Sequence, residues 1–222
     1  MKGQDLLLLL KLVSLEQSGL AAAQAYLHEK VFIPPEWEGW AGEHPEEPDF
    51  DHARRSNVSV EVLQADVRYS VRGLQLATGI SKSEVSAAMR RCVDVGLVRP
   101  DRRTGQPRAN SKALMDFICF GVKYVFPGKL GPIVRGIPTA AFAPVLRGKL
   151  MAPNDDNPVV WEDFHGVATG QSLEPIYRTV PLAVRGDPLL YALLALTDSI
   201  RIGSGREVGL AQNFLADYMG NS

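Results

Sequence analysis

Residues 69–110 read YSVRGLQLATGISKSEVSAAMRRCVDVGLVRPDRRTGQPRAN, which predicts two short helices joined by a tight turn and followed by a small basic hairpin. Ser70 is a suitable N-cap for the first helix, and Gly79 is the residue type that closes a helix in the left-handed conformation. Ser81 then begins the second helix, and Glu84 completes an S-x-x-E capping box three residues later. Two capped helices are therefore expected back to back.

The second predicted helix has two chemically different sides at 100° per residue. Its apolar side comprises Val85, Ala88, Met89, Cys92 and Val93. Its other side comprises Ser83, Ser86, Ala87, Arg90 and Asp94. Small polar residues in the first turn and an arginine one turn later suit a helix that enters a DNA major groove. The N-terminal part of such a helix must approach base edges, while longer cations reach guanine or phosphate.

A basic turn follows the second helix. The residues between Pro100 and Pro107 are mostly turn formers, and Arg102 and Arg103 stand at the tip. From position 68 to position 112 the chain has ten lysines and arginines against three acids, although the whole chain has a net charge of -1. The local excess of positive charge favours DNA binding.

The segment LATGISKSEVSAAMRRCVDVGLVRPDRRTGQPR, residues 76–108, resembles the winged helix-turn-helix of MarR-like transcriptional regulators. The resemblance implies that the second helix docks in the major groove and that the hairpin, the wing, lies along the backbone or the minor groove. It also implies a symmetric dimer. The resemblance implies that Lys82, Ser83, Ser86 and Arg90 are the helix contacts and that Arg102 and Arg103 are the wing contacts. We also predict Arg91 and Arg108 as DNA-binding residues.

Other interpretations of this stretch stay open. A capped helix pair can be a packing unit with a solvated arginine face, and winged helices also serve as protein-interaction modules. An N-terminal winged helix followed by a further unit is similar in layout to abortive-infection antitoxins that repress their own operon. An adaptor or antitoxin that binds a partner protein is therefore the alternative function.

The rest of the chain predicts an α+β fold that is mainly α. Residues 1–124 are expected to form the winged helix-turn-helix domain, with a leucine-rich first helix over 4–16, a second helix over 19–30 and a helix capped by Ser111 over 112–124. Residues 125–222 are expected to form a C-terminal partner or effector unit. Eight of the fifteen prolines lie within residues 125–186, which excludes long helices there.

Short strands and two terminal helices are predicted within the C-terminal unit. The expected strands include Ile133-Val134, Val159-Val160-Trp161 and Thr179-Val180. Asp187 and Pro188 are typical of a helix start, and the two helices are expected over 188–202 and 206–218. Asp198, Arg201, Arg206 and Glu207 indicate either an effector surface or a structural set of ion pairs.

No pattern indicates catalysis, a cofactor or a metal site. The four histidines and two cysteines lack zinc-ligand spacing, and no phosphate loop or nucleophile elbow is complete. Two cysteines in apolar surroundings fit a reducing cytoplasm. Lys11 ends the leucine run after five residues, so neither a secretory signal nor a membrane span is expected.

An acidic insertion over residues 31–66 departs from the winged-helix pattern. It contains four prolines and nine acids against two arginines, so its charge is opposite to that of the helix pair and wing. The insertion is either a solvated surface loop or an arm that regulates DNA access, because it competes for the basic helix pair or binds a partner.

Deletion of residues 31–66 tests the competing-arm hypothesis. We expect the deletion to tighten DNA binding, because an attached polyanion would compete with phosphates for the same cations. The measurement is the Kd for a duplex before and after deletion, and an unchanged Kd would contradict autoinhibition.

Overall fold

The computed structural model describes residues 1–18, 67–147, 149 and 158–220. The helix predicted over 19–30 and the acidic insertion over 31–66 lie outside these described residues. The described part of the chain is α+β and mainly helical, as predicted. None of its helices is both long enough and apolar enough to cross a lipid bilayer.

The elements follow one another in this order along the described chain. The helices are α1 (Gly3–Ser18), α2 (Val71–Thr78), α3 (Lys82–Asp94), α4 (Ser111–Phe120), α5 (Val122–Val125), α6 (Val180–Ala183), α7 (Pro188–Ile202) and α8 (Gly205–Tyr218). The strands are β1 (Val98–Pro100), β2 (Pro107–Ala109), β3 (Leu130–Pro138), β4 (Val159–Glu162) and β5 (Ala168–Leu173). A 3-10 turn covers Ala140–Phe142.

Helix α1 is enclosed by the rest of the protein, as its leucine content predicted. Every residue from Leu6 to Leu10 has 0% exposure. The helix contacts α2, α3 and β2 and also α7. Each fully buried leucine contributes roughly 1.5–3 kcal/mol of transfer free energy, so this contact is a main source of stability. Helix α1 therefore packs directly against the helix pair.

Helices α2 and α3 have the caps that the sequence predicted. The Ser70 side chain accepts a hydrogen bond from the backbone of Gly73, and Gly79 has a left-handed φ of 68°. The Ser81 side chain accepts from the backbone of Glu84. The reciprocal half of this capping box was predicted wrongly, since the Glu84 carboxylate instead accepts from Gln4 of α1.

The basic hairpin forms as a two-stranded antiparallel ladder of β1 and β2, with Val98 opposite Ala109 and Pro100 opposite Pro107. The following helix was predicted with two errors. Asn110 rather than Ser111 is its N-cap, because the Asn110 side chain accepts from the backbone of Ala113. The helix also ends at Gly121, after which α5 is a separate single turn.

The proline-rich region has three strands, β3, β4 and β5, which close on one another. Strand β3 pairs antiparallel with both β4 and β5, while β4 and β5 pair parallel. The strands predicted around Ile133 and Trp161 are confirmed, and β5 was not predicted. The strand predicted at Thr179-Val180 is wrong, because Val180 begins the helical turn α6. Pro181 favours this outcome, since its fixed φ suits the first turn of a helix.

Helices α7 and α8 lie close to their predicted bounds. Asp187 caps α7 by accepting from the backbone of Leu190 at 2.9 Å, and residues 189–201 of α7 are all buried. The Glu207 carboxylate accepts from the backbone N–H of Ser204 at 2.7 Å, which caps α8. This capping box of α8 was not predicted.

One hydrophobic core runs through the described chain and includes side chains from both sides of position 124. Polar contacts also join the two sides of position 124. The Asp187 carboxylate accepts from Lys11 Nζ at 2.8 Å and from Ser14 Oγ at 2.6 Å, and the side chains of Lys11 and Asp187 are each 10% exposed. Buried contacts thus link residues on the two sides of position 124. The division into domains 1–124 and 125–222 stays a prediction.

Replacing Asp187 with alanine should lower the free energy of unfolding by about 3–5 kcal/mol. The substitution removes the cap of α7 and leaves the Lys11 ammonium buried without its partner. Urea unfolding provides the measurement. As a control, Asp217→Ala on the exposed side of α8 should change stability by no more than about 0.5 kcal/mol. Equal losses in the two variants would contradict the linking role of Asp187.

Candidate nucleic-acid interface

Helix α3 presents one polar face to solvent. Lys82, Ser83 and Arg90 are exposed and Ser86 is half-buried, while Val85, Ala88 and Cys92 are buried against the core. The predicted division of the helix is therefore confirmed at these positions. Val93 is the exception, since it is 51% exposed although the pattern assigned it to the apolar side. It stands in the last turn of α3.

The hairpin places Arg102 and Arg103 at its exposed tip, as predicted. Asp101 fixes the shape of this tip. One of its carboxylate oxygens accepts from the backbone N–H groups of Arg103 at 2.9 Å and Thr104 at 2.8 Å, and from the Thr104 hydroxyl at 3.0 Å. These hydrogen bonds lower the pKa of Asp101, the backbone bond from Thr104 most. The two arginines consequently extend from an ordered turn, which reduces the entropy lost on binding.

Arg91 and Arg108 were predicted as DNA contacts, and both have partners within the protein. Arg91 Nη2 lies 2.6 Å from Asp5 Oδ1, and the Asp5 side chain is only 1% exposed. This hydrogen bond to Asp5 is the main reason that the pKa of Arg91 is raised. Arg108 pairs with Glu16 of α1 and with Asp101 at 3.1 Å. Their DNA contact stays a prediction, and each would have to exchange a partner to make it.

Arg99 is a further exposed cation that the sequence analysis counted but did not select. It lies in β1 directly opposite Arg108 in the ladder. Arg108 already has carboxylate partners, whereas Arg99 makes no ion pair among the described residues. Arg99 was not predicted as a site residue, because its position beside Arg108 depends on the antiparallel register of the hairpin. We define the basic surface as Lys82, Ser83, Arg90, Arg99, Arg102 and Arg103.

The cations of the basic surface make no ion pair with any residue that the structure describes, unlike Arg91 and Arg108. Such a set of unneutralised cations suits a polyanion, because each phosphate contact releases condensed counterions. The hydroxyl of Ser83 lies 3.2 Å from that of Ser81. Both serines stand at the N-terminus of α3, where a helix is attractive to negative charge.

A buried polar cluster surrounds Asp198 of α7. Asp198 accepts from Trp161 Nε1 at 2.7 Å, from Thr139 Oγ1 at 2.9 Å and from Arg201 Nη1 at 2.5 Å. Burial raises the pKa of Asp198, and the neighbouring Arg201 guanidinium opposes that effect. The side chains of Asp198 and Arg201 are 1% and 3% exposed. Of the two interpretations, these residues therefore fit the structural ion pair, whereas Arg206 is exposed and Glu207 caps α8.

The cysteines and histidines in the described ranges form no recognisable chemical centre. Cys92 is buried, and this burial raises the pKa of its thiol to about 12. A thiol of this kind is not a nucleophile at neutral pH, since the thiolate is the reactive form. Within the described residues, no group of three or more His, Cys, Asp or Glu side chains is placed to hold a metal ion.

Comparison with known proteins gave no match: no family model, curated protein or solved structure matches this chain.

Substitution of the two adjacent arginines of α3 should change the free energy of unfolding by very different amounts. Arg91→Ala is expected to lower the free energy of unfolding by about 3 kcal/mol, because the buried Asp5 carboxylate loses its charged partner. Arg90→Ala should change it by less than about 0.5 kcal/mol, because Arg90 is exposed. Chemical denaturation of both variants is the measurement, and similar stabilities would contradict the structural role given to Arg91.

Proposed function

We propose that the protein binds double-stranded DNA in a sequence-specific manner and acts as a transcriptional regulator through a winged helix-turn-helix. The observation that carries the proposal is the basic surface, whose cations extend from a capped helix and an ordered hairpin tip without ion-pair partners among the described residues. The proposal assigns no catalytic role and no cofactor to the chain.

The residue order of helix α3 supports the proposed docking in a major groove. Its short hydroxyl side chains lie in the first turn, so the backbone there can approach base edges closely. Arg90 lies two turns after Lys82 on an exposed side, where its guanidinium could bind a guanine edge with two hydrogen bonds or a phosphate. The buried residues Val85, Ala88 and Cys92 hold the opposite side of the helix against the core.

The hairpin would contribute affinity rather than sequence discrimination. Arg102 and Arg103 at its tip and Arg99 in its strand would contact phosphates or enter the minor groove. Phosphate contacts position a protein on a duplex but carry no sequence information of their own. The division of labour between Arg90 and the hairpin arginines can therefore be tested.

We further propose that the protein acts as a symmetric dimer in the cytoplasm. Helices that follow the wing build the dimer in MarR-like regulators, which makes α4 and α5 the candidate elements. Phe120 and Tyr124 on these elements are both 74% exposed, so apolar surface is available there.

The same exposed aromatic side chains favour a second candidate function, a protein-interaction module such as an antitoxin or adaptor. Ionic strength separates the two functions. DNA binding through several phosphates weakens steeply with added salt, whereas an apolar protein interface does not.

The decisive measurement is binding of the purified protein to its own upstream DNA and to an unrelated duplex at several salt concentrations. We expect salt-sensitive binding that prefers the upstream DNA. Salt-insensitive or undetectable binding to both duplexes would reject DNA binding and favour the interaction module.

Substitutions should then separate specificity from affinity. Arg90→Ala is expected to cost about 1–3 kcal/mol on the preferred duplex and less on the unrelated one. Arg102→Ala and Arg103→Ala should weaken binding to both duplexes alike, and each should reduce the slope of log K against log salt by about 0.9. Arg206→Ala, an exposed arginine at the start of α8, is the matched control for charge. A loss of discrimination in the hairpin variants instead would contradict this division.

A further inference from the structure

We propose that the turn preceding α6 is a second DNA-contacting element, with Arg178 as its phosphate contact. The inference rests on the proposed DNA binding and extends it to the C-terminal part of the chain. Three observations carry it: where this turn is attached, what holds it rigid, and the exposed cation that it bears.

The turn is attached directly to the connection between α2 and α3. The Thr179 hydroxyl donates a hydrogen bond of 2.6 Å to the backbone carbonyl of Thr78, the last residue of α2. A β-carbon added to Gly79 would lie 3.2 Å from Thr179 side-chain atoms and 3.1 Å from Leu182 Cδ2. The positive φ of Gly79 favours glycine there, and the close approach leaves little room for a β-carbon. Residues 179–182 therefore lie beside the C-terminal end of α2 and the turn that leads into α3.

The turn is also held from its other side. A β-carbon added to Gly3 of α1 would lie 1.9 Å from the carbonyl oxygen of Ile176, so the two backbones are in direct contact. Val180 N donates to Tyr177 O at 3.0 Å, which closes the turn. Ile176 and Tyr177 pack against the core. A cation on such a fixed segment loses little backbone freedom when it binds.

Arg178 is the exposed cation of this segment. It makes no ion pair with the residues that the structure describes, whereas Arg185 at the other end of α6 is paired with Asp163 at 2.5 Å. Arg178 and Arg185 thus differ as Arg90 and Arg91 do. One arginine of each pair makes no ion pair among the described residues, and the other binds a carboxylate of the protein. The structure leaves Arg178 available to an external anion, in a position one residue from the contact with the helix pair.

The arrangement fits the dimensions of a duplex. Helix α3 has 13 residues, which corresponds to a length of about 20 Å. The major groove is about 12 Å wide and has a phosphate backbone on each side. The hairpin follows the C-terminal end of α3, and the Arg178 turn contacts the connection between α2 and α3, which leads into the N-terminal end of α3. Cations at the two ends of the helix would therefore meet the two opposite walls of the groove.

The test compares Arg178→Ala with Arg178→Lys, Arg206→Ala and the wild-type protein on the upstream duplex over a range of salt concentrations. We expect Arg178→Ala to weaken binding three- to tenfold and to reduce the slope of log K against log salt by about 0.9. Arg178→Lys should restore most of that slope, because it retains the charge. Arg206→Ala removes the same charge elsewhere and should bind like the wild type.

Phosphate-ethylation interference locates the contact. Interference in the wild type should occur on both walls of the groove. In Arg178→Ala the interference should disappear on one wall of the groove, and in Arg102→Ala it should disappear at different phosphates. Thr179→Val removes the hydrogen bond to Thr78 and should give a smaller loss at the Arg178 position than Arg178→Ala does.

The experiments distinguish failure of the Arg178 contact from failure of the proposed DNA binding. If the wild type binds with a steep salt dependence and Arg90→Ala weakens it, while Arg178→Ala matches Arg206→Ala, the Arg178 contact is rejected and DNA binding stands. If the wild type shows no salt-dependent binding to any duplex, both proposals are overturned. Unfolding curves for each variant establish that a loss of binding is not a loss of folding.

Discussion

Helix α1 has almost no solvent-facing surface between Leu6 and Leu10, and its burial constrains most of the described structure. The helix pair, strand β2 and helix α7 all pack around it. A leucine run of this kind must be covered, because exposing it would forfeit the transfer free energy of every side chain. Elements far apart in the sequence are consequently brought to one helix, and the orientation of α3 follows from its contact with α1.

The polar residues of α1 make this packing specific. A helix that is apolar on all sides could rotate about its axis with little change in buried area. Asp5 binds Arg91, while Lys11 and Ser14 bind Asp187, so α1 has fixed partners on two different elements. Leaving any of these polar groups buried without a partner would cost several kcal/mol, about 3–5 for an ion pair broken on one side. Such pairs therefore disfavour alternative packings.

The same pairing divides the arginines of α3 and the hairpin into two groups. Arg91 and Arg108 are neutralised by carboxylates within the protein, whereas Arg90, Arg99, Arg102 and Arg103 have no such partner among the described residues. Neighbouring side chains on a helix differ in direction by about 100°, which is enough to turn Arg90 outward when Arg91 faces α1. The surface available to a polyanion therefore consists of those cations that make no ion pair among the described residues.

Local signals in the sequence determined the capped helix pair, the basic hairpin, the buried leucine helix and the start of α7. Each depends on residues within a few positions of one another, such as Ser70 with Gly73 or Asp187 with Leu190. Tertiary structure alone decided that Glu84 binds Gln4 and that β5 closes on β3 and β4. It also decided that the turn at Thr179 contacts Thr78. These contacts join residues that lie from 12 to 101 positions apart, where no local rule selects one partner over another. The sequence could therefore predict which residues carry charge, while only the packing of distant segments could select which charges stay available for binding.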